Sequence, residues 1–216
     1  MTERVTPRQF HEAAGVEDWR VLFEGACAYF GTGSFAAGAA LVDAIGRLAD
    51  AANHHPDVDL RYAGVTVRLI THSVGGLSER DVQLAQQISA AASELGVPAD
   101  PAVVQTVQIA IDALVGPDVV PFWRAVLGYR ELGDEDLADP HARGPSIWFQ
   151  EMDAPRPQRN RIHIDVSVPH DQAEARVAAA IAAGGHLVSD EHAPDWWTLA
   201  DAEGNEVDVA TLIGRD

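Results

Sequence analysis

Apolar residues recur at helical spacing in two segments of the first half of the chain. The apolar positions over 35–52 repeat every three or four residues, which is typical of one face of an amphipathic helix. Pro56 disfavours a helical conformation in the residue before it, so this helix must end by His55. Ser78 is a typical N-cap, and a second apolar stripe runs from it to Gly96, a typical helix stop. The pattern therefore predicts two helices.

Two other segments of the first half favour strands. Trp19 to Gly31 is rich in residues with high strand propensity and is predicted as one strand. Val58 to Thr71 is predicted as one long strand, because apolar and polar residues alternate along it. Two helices on one face of a short antiparallel sheet form an α+β arrangement, which is the predicted fold class of this half.

The second half repeats one order of elements. The first copy consists of a strand, a helix that ends at Gly128 and two further strands, over Val103–Asp112, Pro117–Leu127, Tyr129–Leu132 and Ser146–Met152. The second copy follows a proline-rich loop, over Arg161–Val168, His170–Ala183, His186–Val188, Trp196–Ala200 and Glu206–Leu212. Similar spacing in both copies predicts a duplicated βαβββ domain.

The boundary between the halves is predicted in the segment 96–101, which contains a glycine and two prolines and nothing apolar enough to pack. We therefore expect one domain over residues 1–97 and a second over 98–216. A length of 216 residues is consistent with two domains.

Charge and composition narrow the class of partner. The net charge is −18, and every one of the 15 basic residues is arginine. Twelve acidic residues and seven arginines precede residue 98, against 21 and eight from there on, so the halves carry −5 and −13. So negative a chain is repelled by nucleic acids and anionic membranes, so neither is expected as a partner.

The compartment is also predicted from composition. No apolar run is long enough to span a bilayer, and the start of the chain lacks the apolar core of a secretory signal. The single cysteine, Cys27, suits a reducing environment. We therefore expect a cytoplasmic protein.

Three histidines mark a candidate site in the first half. Asp50 and His54 are four positions apart, so on a helix they share a face, where the carboxylate can fix the imidazole tautomer. His54 and His55 lie where the helix unwinds, and His72 ends the long predicted strand. Three converging imidazoles suit a reaction that needs proton removal and proton delivery near neutral pH.

Structural explanations for these residues remain open. A histidine pair can simply end a helix, where it interacts favourably with the helix dipole. Asp81 completes a capping box with Ser78 and can be structural, with or without a role in chemistry. The pair of glycines at 75–76 indicates a turn, and Tyr62 is interpreted as a packing residue as well as a candidate ligand contact.

The spacing Asp50-x3-His54-His55-Pro56-x5-Tyr62-x9-His72-x8-Asp81 resembles the pterin-4a-carbinolamine dehydratase family, over roughly residues 5–95. The resemblance implies a hydro-lyase that converts 4a-hydroxytetrahydropterin to quinonoid dihydropterin without metal or cofactor, in support of tetrahydropterin recycling. It implies an acid/base pair of His54 and His72, while His55 holds the pterin with Asp50 and Tyr62. Asp81 would orient a histidine or contact the pterin, and Asp50 would also brace His54. Many members carry tryptophan where this chain has Val58.

The second half is similar to the glyoxalase-like branch of the vicinal oxygen chelate superfamily, over about 103–213. The resemblance rests on the segments 122–129 and 201–208 and on the doubled module order. It implies metal ligands at Gln108, His163 and Asp208, with Gln150 or Glu151 as a fourth, but two amide ligands are weak and a metal-free binding or dimerising module is the favoured expectation.

Three hypotheses for function follow. The first is the pterin dehydratase, active without a metal, and the second is a metal-dependent lyase or dioxygenase in the second half. The third is a small-molecule-binding module without turnover. A homo-oligomer is expected only by resemblance to the dehydratases.

Overall fold

The computed structural model describes residues 3–23, 25–133, 136–155, 164–168 and 170–211. The chain divides into two compact units, Met1–Thr106 and Val107–Asp216. None of the described helices is both long enough and apolar enough to cross a bilayer.

The first unit combines a four-stranded sheet with two long helices. Its elements are β1 (Arg4–Val5), α1 (Pro7–Glu12), β2 (Arg20–Leu22), β3 (Gly25–Gly31), α2 (Phe35–Ala52), β4 (Asp57–Leu60), β5 (Gly64–Leu69), a 3-10 turn (His72–Val74), β6 (Leu77–Ser78) and α3 (Glu79–Glu94). The strand order is β2-β3-β5-β4, and every pairing is antiparallel. A separate two-stranded sheet joins β1 to β6.

One face of the four-stranded sheet carries the core. Ala28 of β3 lies opposite Val67 of β5, and both are fully buried. They belong to one hydrophobic core cluster with Leu41 of α2 and Ile88 of α3. The alternate positions on these strands include Thr66 and Arg68, which face the other side. The predicted α+β arrangement, with helices on one face of an antiparallel sheet, is confirmed.

Two segments that were predicted as single strands are hairpins. The chain reverses at 22–25 and again at 60–64, where Arg61 and Gly64 exchange backbone hydrogen bonds. Gly25 adopts φ 127°, and a Cβ there would lie 2.3 Å from the carbonyl oxygen of Leu69. The first segment was predicted as a strand from its residue types and the second from the alternation over 65–69, and neither signal marks the position at which a chain reverses.

The predicted boundary segment 96–101, in which no residue was expected to pack, belongs to the first unit. Val97 is buried in its core, and Ala99 forms an isolated bridge with Phe30 of β3. Gly31 donates to the carbonyl of Pro98, and Asp100 donates to the carbonyl of Tyr29. These bonds extend the sheet beyond residue 97, so the first unit ends at Thr106 in the structure.

The second unit contains the predicted repeat. Its elements are β7 (Gln108–Ala113), α4 (Gly116–Leu127), β8 (Arg130–Leu132), β9 (Asp136–Ala138), β10 (Ser146–Glu151), β11 (Ile164–Ser167), a 3-10 turn (His170–Gln172), α5 (Ala173–Ala182), β12 (His186–Ser189), β13 (Trp196–Ala200) and β14 (Glu206–Ala210). Strand β9 was not predicted. The strand predicted over Arg161–Val168 corresponds to β11, and its predicted start at Arg161 lies outside the described residues.

Both copies of the repeat have the same topology. The strand orders are β7-β10-β9-β8 and β11-β14-β13-β12, and in each sheet the first and last strands of the module pair in parallel. The remaining pairings are antiparallel. This equivalence confirms the duplicated βαβββ architecture.

A buried polar contact ties the first module to the second. The Trp123 indole of α4 donates to the Asp201 carboxylate over 2.9 Å, and both side chains are almost completely buried. Asp201 also accepts from the backbone of Glu203 and Asn205, so this carboxylate is satisfied within a tight turn.

Candidate active site

The end of α2 and the start of α3 together hold the candidate site. Helix α2 stops at Asn53, which adopts the left-handed conformation (φ 46°, ψ 41°) and donates to the carbonyls of Ala49 and Asp50. This change of direction brings His54 inward, and only 7% of His54 is exposed. The local helix stop therefore positions the imidazole.

Asp81 lies at the start of α3 and is fully buried. Its Oδ2 accepts from the Ser78 backbone N–H over 2.7 Å and from the Ser78 hydroxyl over 3.1 Å, which forms the predicted capping box. The predicted helix start at Ser78 is thus confirmed, and the carboxylate is fixed by the backbone of its own helix.

His54 contacts Asp81 directly. His54 Nε2 lies 2.7 Å from Asp81 Oδ1 in a buried environment. Because an ionised carboxylate only accepts hydrogen bonds, we assign the hydrogen to Nε2 when the imidazole is neutral, which leaves the lone pair on Nδ1. The arrangement can fix one tautomer of the ring and stabilise the imidazolium that forms when Nδ1 takes up a proton.

Thr71 completes the set of donors around Asp81. Its hydroxyl donates to Oδ2 over 2.6 Å and lies 2.7 Å from the Ser78 hydroxyl, and both residues are buried. The sequence motif did not predict the contact between Thr71 and Asp81, although Thr71 directly precedes His72 in the sequence. With His54 on one oxygen and three donors on the other, the carboxylate is held from both sides.

His72 begins the 3-10 turn that follows Thr71 and is exposed. Within the described part of the chain, its side chain makes no hydrogen bond or ion pair that would tie it to His54. The connection between the two histidines runs instead through Thr71 and Asp81.

Arg80 contacts the end of α2 from the first turn of α3. One guanidinium nitrogen donates to the carbonyl of Asn53 and lies 3.4 Å from the carbonyl of Ala52. Sequence reasoning missed this contact, because the Ser-Glu-Arg-Asp segment was interpreted only through its capping residues.

The pairing expected between Asp50 and His54 is wrong. Asp50 Oδ1 instead lies 3.0 Å from His55 Nε2, and both side chains are largely exposed. The i,i+4 rule requires a continuous helix, but α2 ends before His54, and the left-handed Asn53 turns the two histidines apart. Asp81 supplies the contact to His54 that was expected from Asp50.

Tyr62 lies in the turn between β4 and β5 and is 73% exposed, so its interpretation as a packing residue is wrong. Val58 on β4 is 36% exposed at the position where many dehydratases carry tryptophan. Among the described residues, neither side chain forms a hydrogen bond with His54 or Asp81, and a ligand-contact role for Tyr62 stays a prediction.

The metal ligands implied for the second unit are not gathered in the described residues. No group of three or more His, Cys, Asp or Glu side chains there could hold a metal ion. The Asp208 carboxylate accepts from Thr198 over 2.6 Å, and the Gln150 amide donates to the carbonyl of Glu151. Gln108 is exposed on β7, and His163 lies outside the described residues. Because His163 lies outside the described residues, a metal site at Gln108, His163 and Asp208 is untested, and a metal-free module stays an expectation.

Comparisons with known proteins match both halves of the chain. Residues 3–91 match the family described as pterin 4 alpha carbinolamine dehydratase, and residues 108–210 match the glyoxalase-like domain. Both resemblances stated above are confirmed by these matches.

Curated relatives match the first unit. A protein from Nocardia farcinica, provisionally named a pterin-4-alpha-carbinolamine dehydratase, is 54% identical over 55 residues, which is 26% of this chain and 58% of the relative. One from Acidobacterium capsulatum with the same name is 48% identical over 56 residues, or 26% of this chain and 61% of the relative. The chain thus spans about three fifths of the length of these relatives.

Two of the matching solved structures each cover less than half of the chain. A transcriptional coactivator/pterin dehydratase from Brucella melitensis is 27% identical, with a TM-score of 0.39, and the match covers 42% of this chain and 99% of that one. A glyoxalase/bleomycin resistance protein/dioxygenase family enzyme from Burkholderia phytofirmans is 18% identical, with a TM-score of 0.37, and the match covers 49% and 97%.

Proposed function

We propose that this chain, whose residues 3–91 match the pterin 4 alpha carbinolamine dehydratase family, removes water from a 4a-hydroxytetrahydropterin to give the quinonoid dihydropterin. Such a hydro-lyase would return an oxidised pterin to a tetrahydropterin recycling route. The observation that carries the proposal is the buried contact between His54 and Asp81.

The reaction needs two proton movements and no oxidant. The proton on N5 leaves, the C4a–O bond breaks, and the hydroxyl group takes up a proton and departs as water while the N5=C4a double bond forms. Atoms and electrons balance without a redox partner, so positioned acids and bases are sufficient for the chemistry.

His54 is proposed as the base. With the hydrogen on Nε2 directed to Asp81, Nδ1 carries the lone pair that can accept the N5 proton. The Asp81 carboxylate then stabilises the imidazolium, as a buried carboxylate does behind a catalytic histidine. Thr71 and Ser78 act as positioning residues, because they hold the second oxygen of Asp81.

His72 is proposed as the acid that protonates the departing hydroxyl. It is exposed beside Thr71, which gives it access to solvent for exchange of the proton. His55, Asp50 and Tyr62 are proposed to contact the pterin, since all three are exposed and free of core packing. A small-molecule pterin is thus the proposed partner, and cytoplasmic location and homo-oligomer formation remain expectations.

Turnover by purified protein tests the proposal. We expect the full chain to accelerate formation of the quinonoid dihydropterin, followed by its absorbance, above the uncatalysed rate. His54→Ala and His72→Ala should each lower kcat by about 10²-fold or more. His141→Ala, which removes an exposed histidine of the second unit, serves as the control. Absence of acceleration by the parent protein, or parental turnover by the double variant, would contradict the dehydratase.

A further inference from the structure

Two consecutive residues of α3 hold two consecutive residues at the end of α2. Arg80 donates to the carbonyl of Asn53, and Asp81 contacts the imidazole of His54. The first contact fixes the backbone immediately before His54, and the second fixes the His54 ring. The two contacts therefore act on the same short segment from the same helical turn.

The position of Arg80 is electrostatically unfavourable for its own helix. It lies in the first turn of α3, where the helix dipole favours acidic side chains such as Glu79 and disfavours a cation. The same guanidinium lies at the opposite pole of α2, where the last carbonyls lack partners within the helix and a cation is favoured. The positive charge of Arg80 is thus unfavourable for the dipole of α3 and favourable for the dipole of α2.

The end of α2 has no basic residue of its own to serve this purpose. The last turn of α2 contains no basic side chain, and Asn53 holds the left-handed conformation that non-glycine residues rarely adopt. Asn tolerates this conformation better than most residues, but a partner for its carbonyl still helps to fix the turn. Arg80 supplies that partner from the next helix.

We infer that Arg80 is a positioning residue, which holds the α2 terminus so that His54 reaches Asp81 with its Nε2 directed to the carboxylate. The inference rests on the proposed role of His54 as the base. The Arg80 side chain donates only to backbone carbonyls at the end of α2 in the described hydrogen bonds, so its effect passes through His54 rather than through substrate.

Kinetics and the signals of the His54 ring test this role. In Arg80→Ala we expect kcat to fall by about tenfold with KM changed less than about twofold, because orientation of the base is lost while the exposed pterin contacts remain. Nitrogen NMR of the ring should show Nε2 protonated in the parent protein and a mixture of tautomers in the variant.

Matched variants separate positioning from general stability. Arg47→Ala removes an equally charged side chain from α2 whose partner is the exposed Asp43, and it should leave kcat and the His54 signals unchanged. Arg80→Lys keeps a cation with N–H donors on a single nitrogen, and it should recover part of kcat and part of the single His54 tautomer. Should Arg80→Ala fail to fold, the same measurements are made on Arg80→Gln, which retains an amide donor without the charge.

The outcomes distinguish this inference from the proposed function. Parental kcat together with a parental His54 tautomer in Arg80→Ala or Arg80→Gln would overturn the role of Arg80, as would equal effects of Arg47→Ala. Absence of turnover in the parent protein would overturn the dehydratase alone, since the tautomer of His54 is still measurable and still tests whether Arg80 positions the ring.

Discussion

His54 and Asp81 are 27 positions apart in the chain, yet His54 Nε2 and Asp81 Oδ1 are 2.7 Å apart in the interior. One residue follows the end of a helix and the other lies in the first turn of the next, so the two helix termini deliver them to the same point. Asp81 accepts from the cap of its own helix and from His54 with different oxygens. A single carboxylate thereby connects local helix stability to the orientation of the proposed base.

Replacing Asp81 with Asn should reduce turnover without removing the shape of the side chain. The amide cannot stabilise an imidazolium as a carboxylate does, and it can present either an acceptor or a donor to His54, which weakens control of the tautomer. We expect kcat to fall by about 10²-fold or more, measured as formation of the quinonoid dihydropterin. A kcat within about twofold of the parent value would contradict the role of Asp81 behind His54.

Replacing Thr71 with Val should mainly affect the stability of the first unit. The substitution keeps the branched shape but removes the hydroxyl that donates to Asp81 Oδ2. Loss of one buried hydrogen bond to a charged acceptor costs about 1.5–3 kcal/mol. Urea unfolding measures this loss. Thr71→Ser retains the hydroxyl and should recover most of it, and equal destabilisation by both substitutions would show that the methyl group matters instead.

Replacing His55 with Gln should separate binding from chemistry. His55 is 59% exposed and its partner Asp50 is 83% exposed, so their contact contributes less than about 1 kcal/mol to stability. We expect an unchanged melting temperature and an increase in KM, with kcat close to that of the parent protein. A fall in kcat as large as that of His54→Ala, with KM unchanged, would assign His55 to the acid/base chemistry.

The stability of the second unit should depend on Asp139 at acidic pH. Burial opposes ionisation of this carboxyl, but hydrogen bonds from the Arg143 side chain and from the backbone of His141 and Arg143 outweigh burial and lower its pKa from 3.8 to about 2. Since the folded-state pKa is the lower one, the stabilisation is present above pH 3.8 and is lost as pH falls towards 2. Its size is about 2 kcal/mol.

Unfolding of Asp139→Asn at several pH values measures this contribution. The variant should be less stable than the parent protein at neutral pH, and the difference should shrink as the pH is lowered through the window between the two pKa values. Asp153→Asn changes an exposed carboxyl in the same unit and should follow the parent curve. A stability difference that is constant with pH would show that ionisation of Asp139 is not its cause.

The sequence pattern predicted the helices better than the turns between strands. The bounds of α2 follow from apolar periodicity and from Pro56, and the start of α3 follows from Ser78, whose side chain caps the helix locally. The turns at 22–25 and 60–64 carry no strong turn dipeptide, and strand propensity together with the alternation over 65–69 does not mark a reversal, so the hairpins were predicted as single strands. Local capping residues are visible in a sequence, whereas these two short hairpins carry no comparable local signal.

The sequence singled out His54 and Asp81 but did not predict that they pair with each other. Spacing and resemblance singled out His54, His72 and Asp81, but the i,i+4 rule assigned Asp50 to the wrong histidine because Asn53 is left-handed. Thr71 and Arg80 were missed because each acts through a contact between separate elements. Such contacts follow from the packing of α2 against α3, which periodicity does not specify.

The capping box of α3 limits the fraction of molecules in which His54 is oriented by Asp81. When the first turn of this helix frays, the Ser78 amide loses its acceptor and becomes available to exchange with solvent, and the same excursion withdraws Asp81 from His54. The fraction of molecules with an oriented base therefore cannot exceed the fraction with a closed cap. Amide exchange at Ser78 would report the fraction of molecules with an open cap, without any substrate present.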